Sequence, residues 1–218
     1  MTQVVQVKKD VLSKNARIAE ENRRIFASRG LSVINFVSSP GAGKTTLLQR
    51  TINDLKAKTG FAVIEGDQET DNDAKKIAQT GVPVVQVNTL SACHLDAEMT
   101  RRGFDSLKLD GAAMLLIENV GNLVCPASYD LGEKMKVVVM SVTEGEDKPL
   151  KYPKMFRVSS ALVMTKADLL PHVDYDLAMA VDYAKKVNPS LAVFTVSAKT
   201  GEGLGAWYDF LLSQRHEP

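Results

Sequence analysis

Two groups of residues in this chain have the types and spacing to do chemistry. The first is the run Ser38-Ser39-Pro40-Gly41-Ala42-Gly43-Lys44-Thr45-Thr46, which leads from an apolar stretch into Leu47 and Leu48. A strand that turns through small residues into a helix points several backbone N–H groups and a positive helix end at one phosphate cluster. Gly41, Ala42 and Gly43 would form the cradle and Lys44 would neutralise the β and γ phosphates. Thr45 would give its hydroxyl to Mg²⁺, and Thr46 closes the run. Ser38 stands where the usual motif opens with glycine. The second group is Cys93, His94 and Cys125, the two cysteines of the chain and one of its three histidines. Two sulfurs and an imidazole suit Zn²⁺ or Ni²⁺ rather than Mg²⁺ or Ca²⁺. Three ligands are one short of a closed tetrahedron, and water, a backbone nitrogen or a thiolate of a second subunit would complete it.

Carboxylates fall where a metal-nucleotide site needs them. Glu118 ends the apolar run Leu115-Leu116-Ile117 as a Mg²⁺-organising acid does, and Gly121, three residues on, would give a backbone N–H to the γ phosphate. Asp67, in Glu65-Gly66-Asp67, is a further Mg²⁺ candidate and an aid to hydrolysis beside Lys44 and Gly121. Thr165-Lys166-Ala167-Asp168 and Ser197-Ala198-Lys199 each follow a strand, with a spacing that resembles the guanine-binding motifs of P-loop GTPases. Asp168 would accept from the guanine ring N–H and amine, a donor pair that adenine lacks, and an unpaired buried carboxylate rejects such an analogue. Thr165 replaces the usual Asn and keeps one of its hydrogen bonds. Asn122 stands where many small GTPases orient water with Gln, which predicts slow intrinsic hydrolysis.

These residues need a scaffold that gathers them at one edge. Short apolar, β-branched runs at 33–37, 61–64, 82–87, 112–117, 137–142, 161–164 and 191–196 read as buried strands. Helical stretches at 45–56, 71–80, 91–102, 174–187 and 203–212 alternate with them. That order predicts an α/β fold with a doubly wound, mainly parallel sheet flanked by helices, whose ligands bind at the carboxyl ends of the strands. A helix over 11–27 predicts a structural brace, so residues 1–30 form an N-terminal helical brace and 31–218 a P-loop domain. If Ser91 caps the helix 91–102, Cys93 falls in its first turn, where the positive helix end favours the thiolate. Asp96 would then orient His94. The polar segment 144–148 is a solvated loop or a face toward a partner subunit.

Composition bounds the partners. The chain has 218 residues, 44% hydrophobic and 24% charged, which suits one well-packed domain. Lys+Arg 27 against Asp+Glu 26 leaves net charge +1, so no global field favours nucleic acid or an anionic membrane. Without a signal-like or membrane-spanning apolar run, the expected location is cytoplasmic, where two distant cysteines are thiols or ligands.

Taken together, residues 34–212 resemble the HypB family, the nickel-insertion GTPases that mature [NiFe]-hydrogenase. The blocks that carry the resemblance are Ser38 to Thr46, Glu65-Gly66-Asp67-Gln68, Cys93-His94-Leu95-Asp96-Ala97, Glu118 to Pro126 and Val142 to Pro153. It implies a SIMIBI-like G domain that uses GTP/GDP and Mg²⁺ and carries Ni²⁺, or Zn²⁺ in its place. It also implies a GTP-dependent homodimer, a HypA-like nickel metallochaperone partner and a hydrogenase large subunit precursor as recipient. The chain departs from some relatives in having no N-terminal cysteine motif and no histidine tract, its histidines being His94, His172 and His216; Glu98 stands where His is expected. Two other readings are a urease-maturation nickel GTPase, which normally carries a Cys-Pro-His motif, and a nucleotide-independent metal store or scaffold, which leaves the phosphate loop and Asp168 unexplained.

Overall fold

The structure is a computed structural model and describes residues 7–68, 72–109 and 111–215. His216 and the first residue of the helix expected at 71–80 lie outside the described residues. Seven strands form one sheet: β1 (Ser32–Ser38), β2 (Phe61–Asp67), β3 (Val84–Asn88), β4 (Met114–Glu118), β5 (Met135–Ser141), β6 (Ala161–Thr165) and β7 (Ala192–Thr195). Their spatial order is β3-β2-β4-β1-β5-β6-β7, and every pairing is parallel. The α/β, doubly wound fold read from the sequence is therefore present, with no antiparallel pair among the described residues.

Helices cover both faces: α1 (Val7–Ser28), α2 (Lys44–Leu55), α3 (Asn72–Ala78), α4 (Ala97–Asp105), α5 (Lys148–Lys151), α6 (Pro153–Val158), α7 (Leu177–Val187) and α8 (Leu204–Leu212). β1 shows why its strand is mainly apolar. Ile34 and Phe36 pack with Leu47, Ile52, Trp207 and Leu211 of α2 and α8, while Val33 packs with Phe26 of α1 and Phe104 of α4, and Val37 with Phe156 of α6. A strand buried on both faces cannot alternate with polar residues. Each such large side chain contributes roughly 1.5–3 kcal/mol by leaving water. Trp207 is fully buried and donates its indole N–H to Thr51 Oγ1 at 3.1 Å, a core role. Among the described residues no helix is long and apolar enough to cross a membrane.

Three local expectations are corrected. The helix expected over 91–102 begins at Ala97, because Asp96 caps it by accepting from Met99 N at 2.7 Å, whereas Ala92 N turns back to Thr89 O at 2.9 Å. Leu90, at φ 54, belongs to the turn that runs through Ser91. Cys93 consequently lies in an irregular loop, outside any first helical turn. The segment 144–148 is not simply a solvated loop: it leads into α5, with Glu144 and Lys148 paired at 2.8 Å and side chains only 12% and 19% exposed. Lys148 Nζ also donates to Ser39 Oγ at 2.5 Å, which docks the segment on the phosphate loop.

Candidate functional site

The carboxyl edge of the sheet carries the polar residues that the strands deliver in register. Glu65 of β2 pairs with Glu118 of β4, Phe36 pairs with the same Glu118, and Ser141 pairs with Thr165. Between these strand ends opens a cavity of about 510 Å³, lined among others by Gly41, Ala42, Gly43, Lys44, Thr45, Thr46, Asp67, Gln68 and Gly121. Gly43 caps α2 at φ 85, a left-handed conformation that glycine adopts without strain. Lys44 and Thr45 are thereby fixed in the first turn, with their N–H groups and the positive helix end toward the cavity.

Two buried acids stand beneath this loop. Glu118, 1% exposed, accepts from Thr45 Oγ1 at 2.7 Å and lies 3.4 Å from Lys44 Nζ, both through Oε1. Its Oε2, and Oε2 of Glu65, are buried without a hydrogen-bond partner. Burial raises the Glu118 carboxyl above its ordinary range. Burial, then the neighbouring Glu118 and Asp67 carboxylates, pushes Glu65 up to about 8. Orphaned oxygens and stacked acids of this kind fit a divalent cation bridging to phosphate, which would satisfy both. Asp67 is on the cavity wall and its Oδ1 accepts from Gln68 N at 2.6 Å. Glu65 was not among the expected ligands, although its register beside Glu118 follows from two strands ending in acid.

At the far side of the loop, Thr165 Oγ1 donates to Ala42 O at 2.5 Å and Lys166 Nζ to Gly41 O at 2.9 Å. The Thr165 hydroxyl is thus committed to the phosphate loop. Lys166 sits at φ 60, which turns Asp168 back under the sheet edge. There Asp168 Oδ1 accepts from Ser197 Oγ at 2.6 Å, while Ser197 Oγ accepts from Thr200 N at 3.1 Å. Ala198 O accepts from Arg50 at 3.0 Å, and Lys199 is exposed beside it.

Cys93, His94 and Cys125 converge although a helix and a strand separate them in sequence. Their ligand atoms all lie within 4.8 Å of one another, at half-buried positions. The parallel pairing of β4 with β2 carries the loop that follows β4 to the same edge as the loop that follows β3. Cys93 Sγ is 3.7 Å from His94 Nδ1, and Cys125 opens the short 3₁₀ turn Cys125–Ser128, stiffened by Pro126. The His94 ring stacks on Tyr129 with centroids 3.9 Å apart. Burial lowers the His94 pKa against the opposing effect of Asp96, which favours the neutral imidazole that metals bind. The Asp96 carboxylate expected to orient His94 instead caps α4, and Tyr129 supports the ring. Glu98 is taken by Lys14 at 3.2 Å and Arg102 at 2.5 Å and takes no part in the trio.

Amide side chains, none of them expected in this role, join the two sites. Gln68 Nε2 donates to Ala92 O at 3.3 Å and Asn122 Nδ2 to Cys93 O at 3.2 Å. Asn119, 1% exposed, accepts through Oδ1 from Leu95 N and Val120 N, each at 3.0 Å. From behind, Asn15 Oδ1 accepts from Ala97 N at 2.8 Å and Asn22 Nδ2 donates to Ala97 O at 2.8 Å, so α1 holds the exit of the same loop.

Known proteins are similar to this chain. The family model of the CobW/HypB/UreG nucleotide-binding domain matches residues 32–195. The hydrogenase maturation factor HypB of Azotobacter chroococcum mcd 1 is 55% identical over 215 residues, 98% of this chain and 70% of that protein. The hydrogenase/urease maturation factor HypB of Helicobacter pylori strain 26695 is 41% identical over 217 residues, 98% of this chain and 89% of its own. The crystal structure of Helicobacter pylori HypB in complex with nickel superposes with a TM-score of 0.87 at 40% identity, covering 92% of this chain and 94% of that one.

Proposed function

The chain belongs to the HypB hydrogenase maturation factors of the CobW/HypB/UreG family, and from that membership we propose that it is a GTP-hydrolysing nickel metallochaperone. Nickel, with zinc as the competing ion, is its cargo and binds Cys93, His94 and Cys125. GTP occupies the cavity over Gly41 to Thr46, with its base against Asp168 and the Ser197-Ala198-Lys199 turn. Mg²⁺ is held by Thr45, Asp67 and Glu118, where it compensates the buried carboxylates and draws charge from the phosphates. The protein acts as a homodimer that receives nickel from a HypA-like metallochaperone and serves a [NiFe]-hydrogenase large subunit precursor. Intrinsic hydrolysis is slow, since Asn122, at the place of a water-orienting Gln, binds Cys93 O and Val124 N.

One observation supports this reading most: two thiols and an imidazole converge within 4.8 Å, and the loop that carries Cys125 also lines the phosphate cavity through Val120 and Gly121. A protein that only stored metal would need no such cavity. Changing Cys93 and Cys125 together to Ala should abolish stoichiometric Ni²⁺ binding while GTP affinity changes little; unchanged stoichiometry by equilibrium dialysis overturns the assignment. A second recipient, a urease precursor, is favoured by the 41% identity to the hydrogenase/urease factor. Nickel incorporation into each apo-enzyme in turn separates the two.

A further inference from the structure

The metal loop is held at three places by side chains that belong to the nucleotide edge. Gln68, Asn122 and Asn119 take Ala92 O, Cys93 O and Leu95 N, so the amide contacts of Asn122 and Asn119 straddle His94. Asn122 reaches in both directions: its Nδ2 holds Cys93 O, while its Oδ1 accepts from Val124 N at 2.8 Å, next to Cys125. One side chain therefore spaces the backbones that carry both thiols. Its chain neighbour Gly121 is pressed against the phosphate loop, where an added Cβ would lie 3.0–3.1 Å from three atoms of Pro40. Val120 and Gly121 also line the phosphate cavity. Any displacement of Gly121 by a γ phosphate must then move Asn122, and Asn122 cannot move without pulling on Cys93 or releasing it.

We infer that Asn122 is the positioning residue that transmits nucleotide state to the metal cluster, with Asn119 fixing the pivot. Asn119 suits that part because it is fully enclosed and anchored to the central strand: its N–H donates to Phe36 O at 3.0 Å and its Nδ2 to Asn35 Oδ1 at 3.2 Å. Asn122 is only half-buried and is tied to the loops at either side, so it is the part that shifts. This inference rests on the proposed nickel site and GTP site, and reciprocity requires that nickel alter nucleotide affinity by the same factor.

The test measures Ni²⁺ affinity of the full chain by competition with a chromogenic chelator, once with Mg²⁺-GDP and once with a Mg²⁺-bound non-hydrolysable GTP analogue. Wild-type protein should show a ratio of at least about fivefold between the two states. Asn122→Ala should bring the ratio to within about twofold of one, whatever it does to either affinity alone. Asn122→Asp keeps the acceptor for Val124 N but lacks the donor to Cys93 O, and it should lose the ratio as well. Gln214→Ala, at an amide far from both sites, should keep it. A residue that merely braced the loop would weaken nickel binding equally in both nucleotide states and leave the ratio intact. A retained ratio in both Asn122 variants overturns the inference and leaves the proposed function standing. A wild-type ratio of one also overturns the inference, with the proposed nickel and GTP sites still standing.

Discussion

The phosphate cavity and the metal cluster share one edge of the sheet, yet they are assembled from different materials. The cavity is made of contiguous backbone: Gly41 to Thr46 supply the cradle, and the side chains around it are already paired, Lys44 and Thr45 with Glu118, Thr165 with Ala42 and Asp168 with Ser197. The cluster is made of side chains on two separate loops, held by amides and an aromatic ring, with exposed Leu90 and Val124 at its rim, 74% and 61% accessible. Local chain geometry suffices for the first. The second exists only when the whole sheet has formed, and it is correspondingly easier to displace.

That contrast is sharpest at Lys44. Lys44→Ala should lower GTP hydrolysis by on the order of 10²–10³-fold, the usual loss of a charge aimed at the transition state, and leave nickel stoichiometry at wild type. Loss of nickel binding along with it would break the division between the regions. Asn22→Ala tests the cluster from behind. Removing its Nδ2 takes away the buried side-chain donor to Ala97 O and Leu131 O and should cost about 1–3 kcal/mol in urea unfolding. The loosened α4 entrance should weaken nickel binding more than GTP binding, and the reverse order would sink the view that α1 serves the metal side. Thr165→Val removes the hydroxyl that holds Ala42 O and should weaken nucleotide binding by about 1–2 kcal/mol, read by titration calorimetry, with little effect on nickel. Tyr129→Leu should have the smallest effect, a loss of nickel affinity of roughly tenfold or less with GTP affinity unchanged.

The same division decides what could be read before the fold was known. The strands were legible because β1 and its neighbours are buried on both faces and therefore mainly apolar, and the phosphate loop because its function lies in contiguous glycines. The start of α4 was misplaced because Ser91 and Asp96 are both capping residues, and only the bond to Met99 decides between them. Helices α5 and α6 were hidden by Pro149 and Pro153, which interrupt the pattern while occupying first-turn positions where proline is tolerated. Cys93, His94 and Cys125 were named from donor chemistry and the family resemblance; their convergence required strand order. The bonds from Gln68, Asn119 and Asn122 to the metal loop left no trace in sequence, because a hydrogen bond to a distant backbone has no periodicity.

The bonds from Thr165 and Lys166 to Ala42 and Gly41 mean that the base-reading corner cannot be swapped as a cassette. An attempt to retune the chain toward another nucleobase by rewriting residues 165–168 would also unfasten the loop that seats the phosphates. Directed evolution of base preference should therefore recover compensating changes at 41–43 before it recovers turnover, and lineages without them should stall as binders of neither nucleotide.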